Sequence, residues 1–159
     1  MKVRRVLVTG SSRGVGRAIA LRLARDGFAV TVHYRQGRSE AEQVAGEIEA
    51  AGGMADLLQF DVSDREAARE ALGAMLAAKG AYYGIVCNAG ITRDNAFPAL
   101  SGEDWDSVID TSLGGFFNVV HPLIMPLVRL KSSGRIVTLA SVSGITGNRG
   151  QVNYSAAKG

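Results

Sequence analysis

The sequence predicts a doubly wound α/β fold, a parallel sheet covered by helices on both faces. Three observations carry that expectation. Strand-like and helix-like patterns alternate along the whole chain. The strand segments are short apolar runs rather than alternating ones, as strands buried on both faces require. A glycine-rich turn, residues 10–16, joins the first strand to the first helix. Five strand–helix units in succession then imply a parallel sheet.

The elements follow in order. Residues 3–8 read as a buried strand. A helix then runs to about Asp26, with Val15, Ile19 and Leu23 on one face, and stops at Gly27. Residues 29–34 form the second strand. Ser39 and Glu42 are spaced as a capping box opening a helix whose apolar face is Ala41, Val44, Ala45 and Ile48. Gly52 and Gly53 end it. Residues 57–60 are the third strand, and a second capping box, Ser63 with Glu66, starts a helix to about Lys79. Residues 83–87 are the fourth strand. Ser101 caps a long helix over residues 103–129 that Pro122 and Pro126 should bend. Residues 135–140 are the fifth strand, and a last helix begins near Gln151.

Composition narrows the function classes. The chain has 159 residues, 47% of them apolar and 21% charged, enough for one domain with a real core. The net charge of +3 comes without a block of like charges or interleaved aromatics, which disfavours nucleic acid. Cys87 is the single cysteine, so no internal disulfide forms, and Ile85 and Val86 beside it mark a buried structural thiol. The apolar run at the start is too short for a signal peptide or a membrane span, and the cytoplasm is expected. No metal is expected.

Tyr154 and Lys158 stand four residues apart on one helix face, and Ser141 lies thirteen residues before the tyrosine. An ammonium about 4 Å from a phenol in a partly shielded site supplies ~4 kcal/mol. Bringing phenol ionisation from near pH 10 toward neutrality takes roughly 3–4 kcal/mol. The magnitudes match, so the pair suits general acid/base work.

The turn Thr-Gly-Ser-Ser-Arg-Gly-Val-Gly, residues 9–16, suits a nucleotide phosphate at a helix N-terminus. After the second strand stand His33, Tyr34 and Arg35, with no carboxylate until Glu40. An acid there would hold a ribose 2′-hydroxyl, so its absence favours NADP, with Arg13 and Arg35 either meeting the 2′-phosphate or merely solvated. Asp61 suits either the adenine amino group or a loop role. Gly10, Asp61, Asn88 and Ser141 sit at the carboxyl ends of four different strands, the rim where such sheets bind ligands.

These motifs, with Cys-Asn-Ala-Gly at residues 87–90 and Tyr-Ser-Ala-Ala-Lys at 154–158, occur in the order and spacing of the short-chain dehydrogenase/reductase family. The resemblance covers the whole chain and implies a Rossmann-type fold. Residues 89–95 and 147–154 are most similar to the 3-oxoacyl-[acyl-carrier-protein] reductases; close relatives act on acetoacetyl-CoA. The resemblance implies NADPH-dependent reduction of a 3-oxoacyl thioester, on acyl-carrier-protein or CoA, in fatty acid biosynthesis. Tyr154 would give the proton to the developing alkoxide, and Ser141 would hold the carbonyl oxygen. Lys158 would bind the nicotinamide ribose and tune the tyrosine. The cofactor-binding residues it implies are Gly10, Ser12, Arg13, Gly14, Val15, Gly16, Arg35, Asp61, Val62, Asn88, Ala89 and Gly90, with Tyr154 and Lys158. A basic docking patch for the acidic carrier is expected at Arg129 and Lys131, with an ordinary solvated helix end as the alternative. A homo-oligomer, a tetramer at full length, is expected. A serine hydrolase is disfavoured, because only His33 and His121 are available as bases and no nucleophile elbow occurs.

Two departures from the family pattern stand out. Ser112 occupies the position of a family asparagine that holds a proton-relay water, and Asn118, six residues on, cannot replace it. Family domains also carry two further strands and the rest of the tyrosine helix. The expectation is therefore one NADP-binding domain, residues 1–159, ending just after Tyr-x-x-x-Lys, with the fifth strand left as an exposed edge. Two other readings are a non-catalytic nucleotide-binding fragment or pseudo-enzyme, and a reductase of another small ketone.

Overall fold

The computed structural model describes residues 3–159. Five parallel strands form one sheet: β1 (Arg5–Val8), β2 (Ala29–Tyr34), β3 (Met54–Gln59), β4 (Gly84–Cys87) and β5 (Arg135–Thr138). Their order is β3-β2-β1-β4-β5, so the chain winds outward from β1 in two directions. The point of reversal, between β1 and β4, is where a ligand crevice opens in such sheets.

Among the described residues five α-helices lie between the strands and two follow β5. They are α1 (Gly14–Arg25), α2 (Arg38–Ala50), α3 (Arg65–Lys79), α4 (Gly102–Ile109), α5 (Gly115–Arg129), α6 (Ser143–Thr146) and α7 (Val152–Lys158). Strand pleating sends successive side chains to opposite faces. Val6 and Val8 of β1 thus pack with Val30, Val32, Val44 and Ile48 under α1 and α2. Leu7 packs with Ile85, Leu72, Val119 and Leu123 under α3 and α5. Each such buried side chain is worth about 1.5–3 kcal/mol, so both layers are needed. The doubly wound α/β expectation holds.

Local differences have physical causes. On α1 the buried residues are Gly16, Ala20 and Ala24, whereas Val15 is exposed and Ile19 and Leu23 only flank the core. Small residues let this helix approach the β1 turn, which a bulky face would forbid. Neither capping box forms. Gly37 precedes α2 with φ 79 and no side-chain cap, Glu42 instead pairs with Arg38 at 2.7 Å, and the Ser39 hydroxyl donates to Glu40. At α3 the charged Asp64 takes the cap, accepting from the N–H groups of Glu66 and Ala67, while Ser63 donates to Asp61. An ionised cap makes the stronger hydrogen bond. Ser101 does cap α4, accepting from Asp104 N–H at 3.0 Å.

The helix expected over 103–129 is continuous but not uniform. A π-helical stretch, Asp110–Gly114, separates α4 from α5, and Pro122 and Pro126 lie inside α5. Stretches of this kind recur at functional sites, and Ser112 sits in this one. Gly102–Arg129 is long and apolar enough to cross a membrane. Its inner side (Val119, Val120, Leu123 and Leu127) is nevertheless packed on the sheet, the mark of a core helix. β3 begins three residues earlier than expected, and α6 and a short 3₁₀ turn at Phe97–Ala99 were not expected. All four residues of β5 are exposed, as expected for an edge.

Candidate active site

Thr9 ends β1 and links two loops. Its Oγ1 donates to the Val86 carbonyl and accepts from the N–H groups of Asn88 and Ala89, at 2.9 and 3.0 Å. The Asn88 side-chain amide donates to the carbonyls of Thr9 and Gly10, at 2.8 and 3.1 Å. The turn after β4 is thereby stitched to the turn after β1. Gly10 sits at φ 62, and a Cβ on Gly16 would collide with the Gly10 carbonyl and stand 2.5 Å from Asn88 Nδ2. Only glycine allows this approach.

The glycine turn, the end of β2 and the turn after β4 enclose a cleft of about 590 Å³. Of the residues expected to bind a nucleotide, Gly10, Ser12, Arg13, Val15, Gly16, Arg35, Asp61, Val62, Asn88, Ala89 and Gly90 all line it. Gly14, Tyr154 and Lys158 do not. His33, Tyr34, Glu40 and Thr111 line it too, and only their nearness to Arg35 and Ser112 in sequence hinted at this. α1 starts at this cleft with no side chain capping it, so its first-turn N–H groups are left to meet an anion.

Two charges in the cleft are paired. Arg35 Nη1 meets Asp61 Oδ2 at 3.2 Å, and Ser63 donates to Asp61 from both its N–H and its hydroxyl. Burial opposes ionisation of Asp61, but these Ser63 and Arg35 contacts outweigh it and hold the carboxyl below its usual range. Glu40 is held low mainly by its own N–H and the Ser39 hydroxyl, with a smaller pull from Arg13.

A second, more apolar cavity of about 230 Å³ shares Val62, Ala89 and Thr111 with the cleft. Cys87, Ser112, Leu139, Ala140 and Lys158 line it. Lys158 Nζ donates to the Leu139 carbonyl at 2.9 Å and lies 6.0 Å from the centre of the Tyr154 ring. Burial lowers the Lys158 pKa, opposed by Cys87, and burial pushes the Cys87 thiol up to about 11, opposed by Lys158. The thiol is therefore neutral at ordinary pH. Ser112 Oγ is buried without a hydrogen-bond partner. Asn118 is committed elsewhere, donating to the Val62 carbonyl and accepting from Arg65.

Ser141 and Tyr154 line neither space, although their neighbours Ala140 and Ala157 line the cavity. The Ser141 hydroxyl accepts from Ser143 N–H at 3.2 Å. α6 packs on α7 through Gly144, where a Cβ would collide with the Lys158 carbonyl. The fully buried Asn153 donates to the carbonyls of Arg93 and Asp104. Gln151 reaches Asp94, and Asn95 N–H donates to the Gly150 carbonyl. These ties, which fix α7 against the loop after β4, had no expected counterpart. Arg129 and Lys131 are exposed at the end of α5. Among the described residues no group of three or more His, Cys, Asp or Glu is placed to hold a metal ion.

Known proteins are similar to this chain. The profile of the family described as short chain dehydrogenase matches residues 4–159. A 3-oxoacyl-[acyl-carrier-protein] reductase of Aggregatibacter actinomycetemcomitans is 60% identical over 153 residues, covering 96% of this chain and 63% of the relative. One from Staphylococcus aureus (strain Mu50 / ATCC 700699) is 42% identical over 152 residues, covering 96% and 61%. Among solved structures, a gluconate 5-dehydrogenase from Burkholderia cenocepacia J2315, in complex with NADP and tartrate, superposes with a TM-score of 0.91. It is 31% identical, and the match covers 99% of this chain and 61% of that one. The chain thus spans between 61% and 63% of the length of these relatives.

Proposed function

We infer the function from one premise: this chain belongs to the short-chain dehydrogenase family. We propose that it serves an NADPH-dependent reductase of 3-oxoacyl thioesters, with the acyl group on acyl-carrier-protein or CoA. The observation that carries this reading is the shared wall of Val62, Ala89 and Thr111 between the cleft and the Lys158 cavity. A nucleotide and a substrate carbonyl can meet only where two such spaces adjoin.

The residues present fit the nucleotide. Gly10 and Gly16 leave room that any Cβ would fill, the N-terminus of α1 is uncapped, and Arg13 and Arg35 supply cations for a ribose phosphate. When bound, NADPH supplies the hydride. The chain's own part is to hold the substrate oxygen and protonate it. In this proposal the Ser141 hydroxyl donates to the carbonyl oxygen, and the Tyr154 phenol gives it a proton as it becomes an alkoxide. Lys158, fixed by Leu139, holds its amino group 6.0 Å from the centre of that phenol ring.

The proposal also places the protein in the cytoplasm as a homo-oligomer, supported by the exposed apolar residues Leu113, Phe117, Met125 and Val128 along the helical stretch. NADPH consumption with acetoacetyl-carrier-protein and acetoacetyl-CoA tests the activity, and a substrate without a 3-oxo group should give none. A second reading, nucleotide binding without turnover, is favoured by the partnerless Ser112 hydroxyl. NADPH binding without consumption of either thioester would support it.

A further inference from the structure

We propose that His33 is a positioning residue for the nucleotide, its imidazole holding the Gly10 turn in its phosphate-binding shape. The inference rests on the nucleotide reading above. His33 is the last residue but one of β2, is 2% exposed, and lines the cleft. Its Nδ1 accepts from Gly10 N–H at 3.0 Å, and its Nε2 lies 3.1 Å from the Phe60 carbonyl. Gly10 N–H can only donate and the Phe60 carbonyl can only accept, so the partners dictate the tautomer. The ring is neutral, with its proton on Nε2.

The backbone of His33 repeats the tie one residue on. His33 N–H donates to Ser11 Oγ at 3.0 Å, Ser11 N–H donates to the His33 carbonyl at 2.9 Å, and Ser11 Oγ donates to the Val8 carbonyl. Gly10 is consequently gripped on both sides, its N–H by His33 and its carbonyl by Asn88. The Phe60 ring packs tilted at 54° against the imidazole, with centroids 4.2 Å apart. A β2 residue packed for bulk alone would need neither nitrogen. Here both are used, and one is spent on the glycine that gives the turn its shape.

Three substitutions separate the roles of the two nitrogens. In His33→Asn the amide oxygen falls near Nδ1 and can accept from Gly10. In His33→Gln the amide nitrogen falls near Nε2 and can serve Phe60 but not Gly10. His33→Phe keeps the ring and loses both bonds. NADPH binding is measured on the full chain by cofactor fluorescence, and Gly10 amide exchange by NMR without cofactor. An unpaired buried N–H costs enough to weaken binding about tenfold. We expect that loss, with faster Gly10 exchange, in His33→Gln and His33→Phe, and recovery of most of the binding in His33→Asn. A merely structural role would lower the melting temperature of all three without separating Asn from Gln, and that pattern overturns the proposal. Equal Gly10 protection in every variant overturns it as well. Should His33→Phe fail to fold, the Asn–Gln pair still decides. Failure of the unaltered chain to bind NADPH would overturn the nucleotide reading itself, and this inference with it.

Discussion

β2 and β5 are both short, apolar, parallel strands, yet all six residues of β2 are buried and all four of β5 are exposed. β2 lies between β1 and β3 and under two helices, while β5 pairs only with β4. The elements they carry differ accordingly. The end of β2 is locked to the glycine turn and to β3 through His33, Ser11 and Phe60. The elements beyond β5 hold instead through scattered ties to loops and to α4: Lys158 to Leu139, Asn153 to Arg93 and Asp104, Gln151 to Asp94, Asn95 to Gly150, and the close packing of Gly144. The nucleotide side is thus held by its own core, and the catalytic side by a handful of contacts.

That contrast can be broken from either side. The largest effect should come from the catalytic side alone. Tyr154→Phe removes the proton donor, and thioester reduction should fall by about 10²–10⁴-fold while NADPH affinity stays close to that of the parent. Parallel loss of affinity in titrations would mean that the two sides are not separable. On the nucleotide side, Gly16→Val drives a side chain into the Gly10 carbonyl and Asn88. Overpacking of this kind costs about 1–3 kcal/mol, so we expect a lower midpoint in urea melts and loss of NADPH binding.

Acid should act on the nucleotide side selectively. Burial lowers the His33 pKa from 6.5 to about 4, against the Phe60 carbonyl and Asp61, which favour the proton. The unfolded chain therefore takes up the proton first as pH falls. The contribution of His33 is intact above 6.5, drains away between 6.5 and 4, and changes no further below that range, for a loss of roughly 3 kcal/mol. Urea melts across this range should show the slope in the parent and a flatter one in His33→Asn. A parent profile with no slope would show that the ring is not held neutral by burial.

The smallest expected effect sharpens the comparison at the cavity. Ser112→Asn would bring an amide to a place where a buried hydroxyl has no partner. One satisfied hydrogen bond is worth about 1 kcal/mol, roughly fivefold. Turnover should rise by about that factor with NADPH affinity unchanged, and steady-state kinetics giving equal or slower turnover would refute the relay role of this position.

Much of this molecule could be read from the chain itself. The order of strands and helices, the close-packed glycine turn and the buried face of α2 follow from short-range periodicity and from where glycine stands. These are properties of neighbours in sequence, and neighbours suffice to specify them. Helix starts were legible only in part, because Ser39 and Ser63 found partners in adjacent carboxylates, Glu40 and Asp61, that no spacing rule weighs. The burial of Gly16, Ala20 and Ala24 in place of Val15 depended on how near α1 comes to β1. The His33 tautomer, the pairing of Arg35 with Asp61 and the lone hydroxyl of Ser112 join residues 23, 26 and 46 positions from their partners or from the Lys158 beside them. Sequence therefore determined which elements form and which residue types reach the rim of the sheet. Tertiary structure decided which of those residues spend their hydrogen bonds on one another and which are left free for a ligand, because only the folded packing sets those distances.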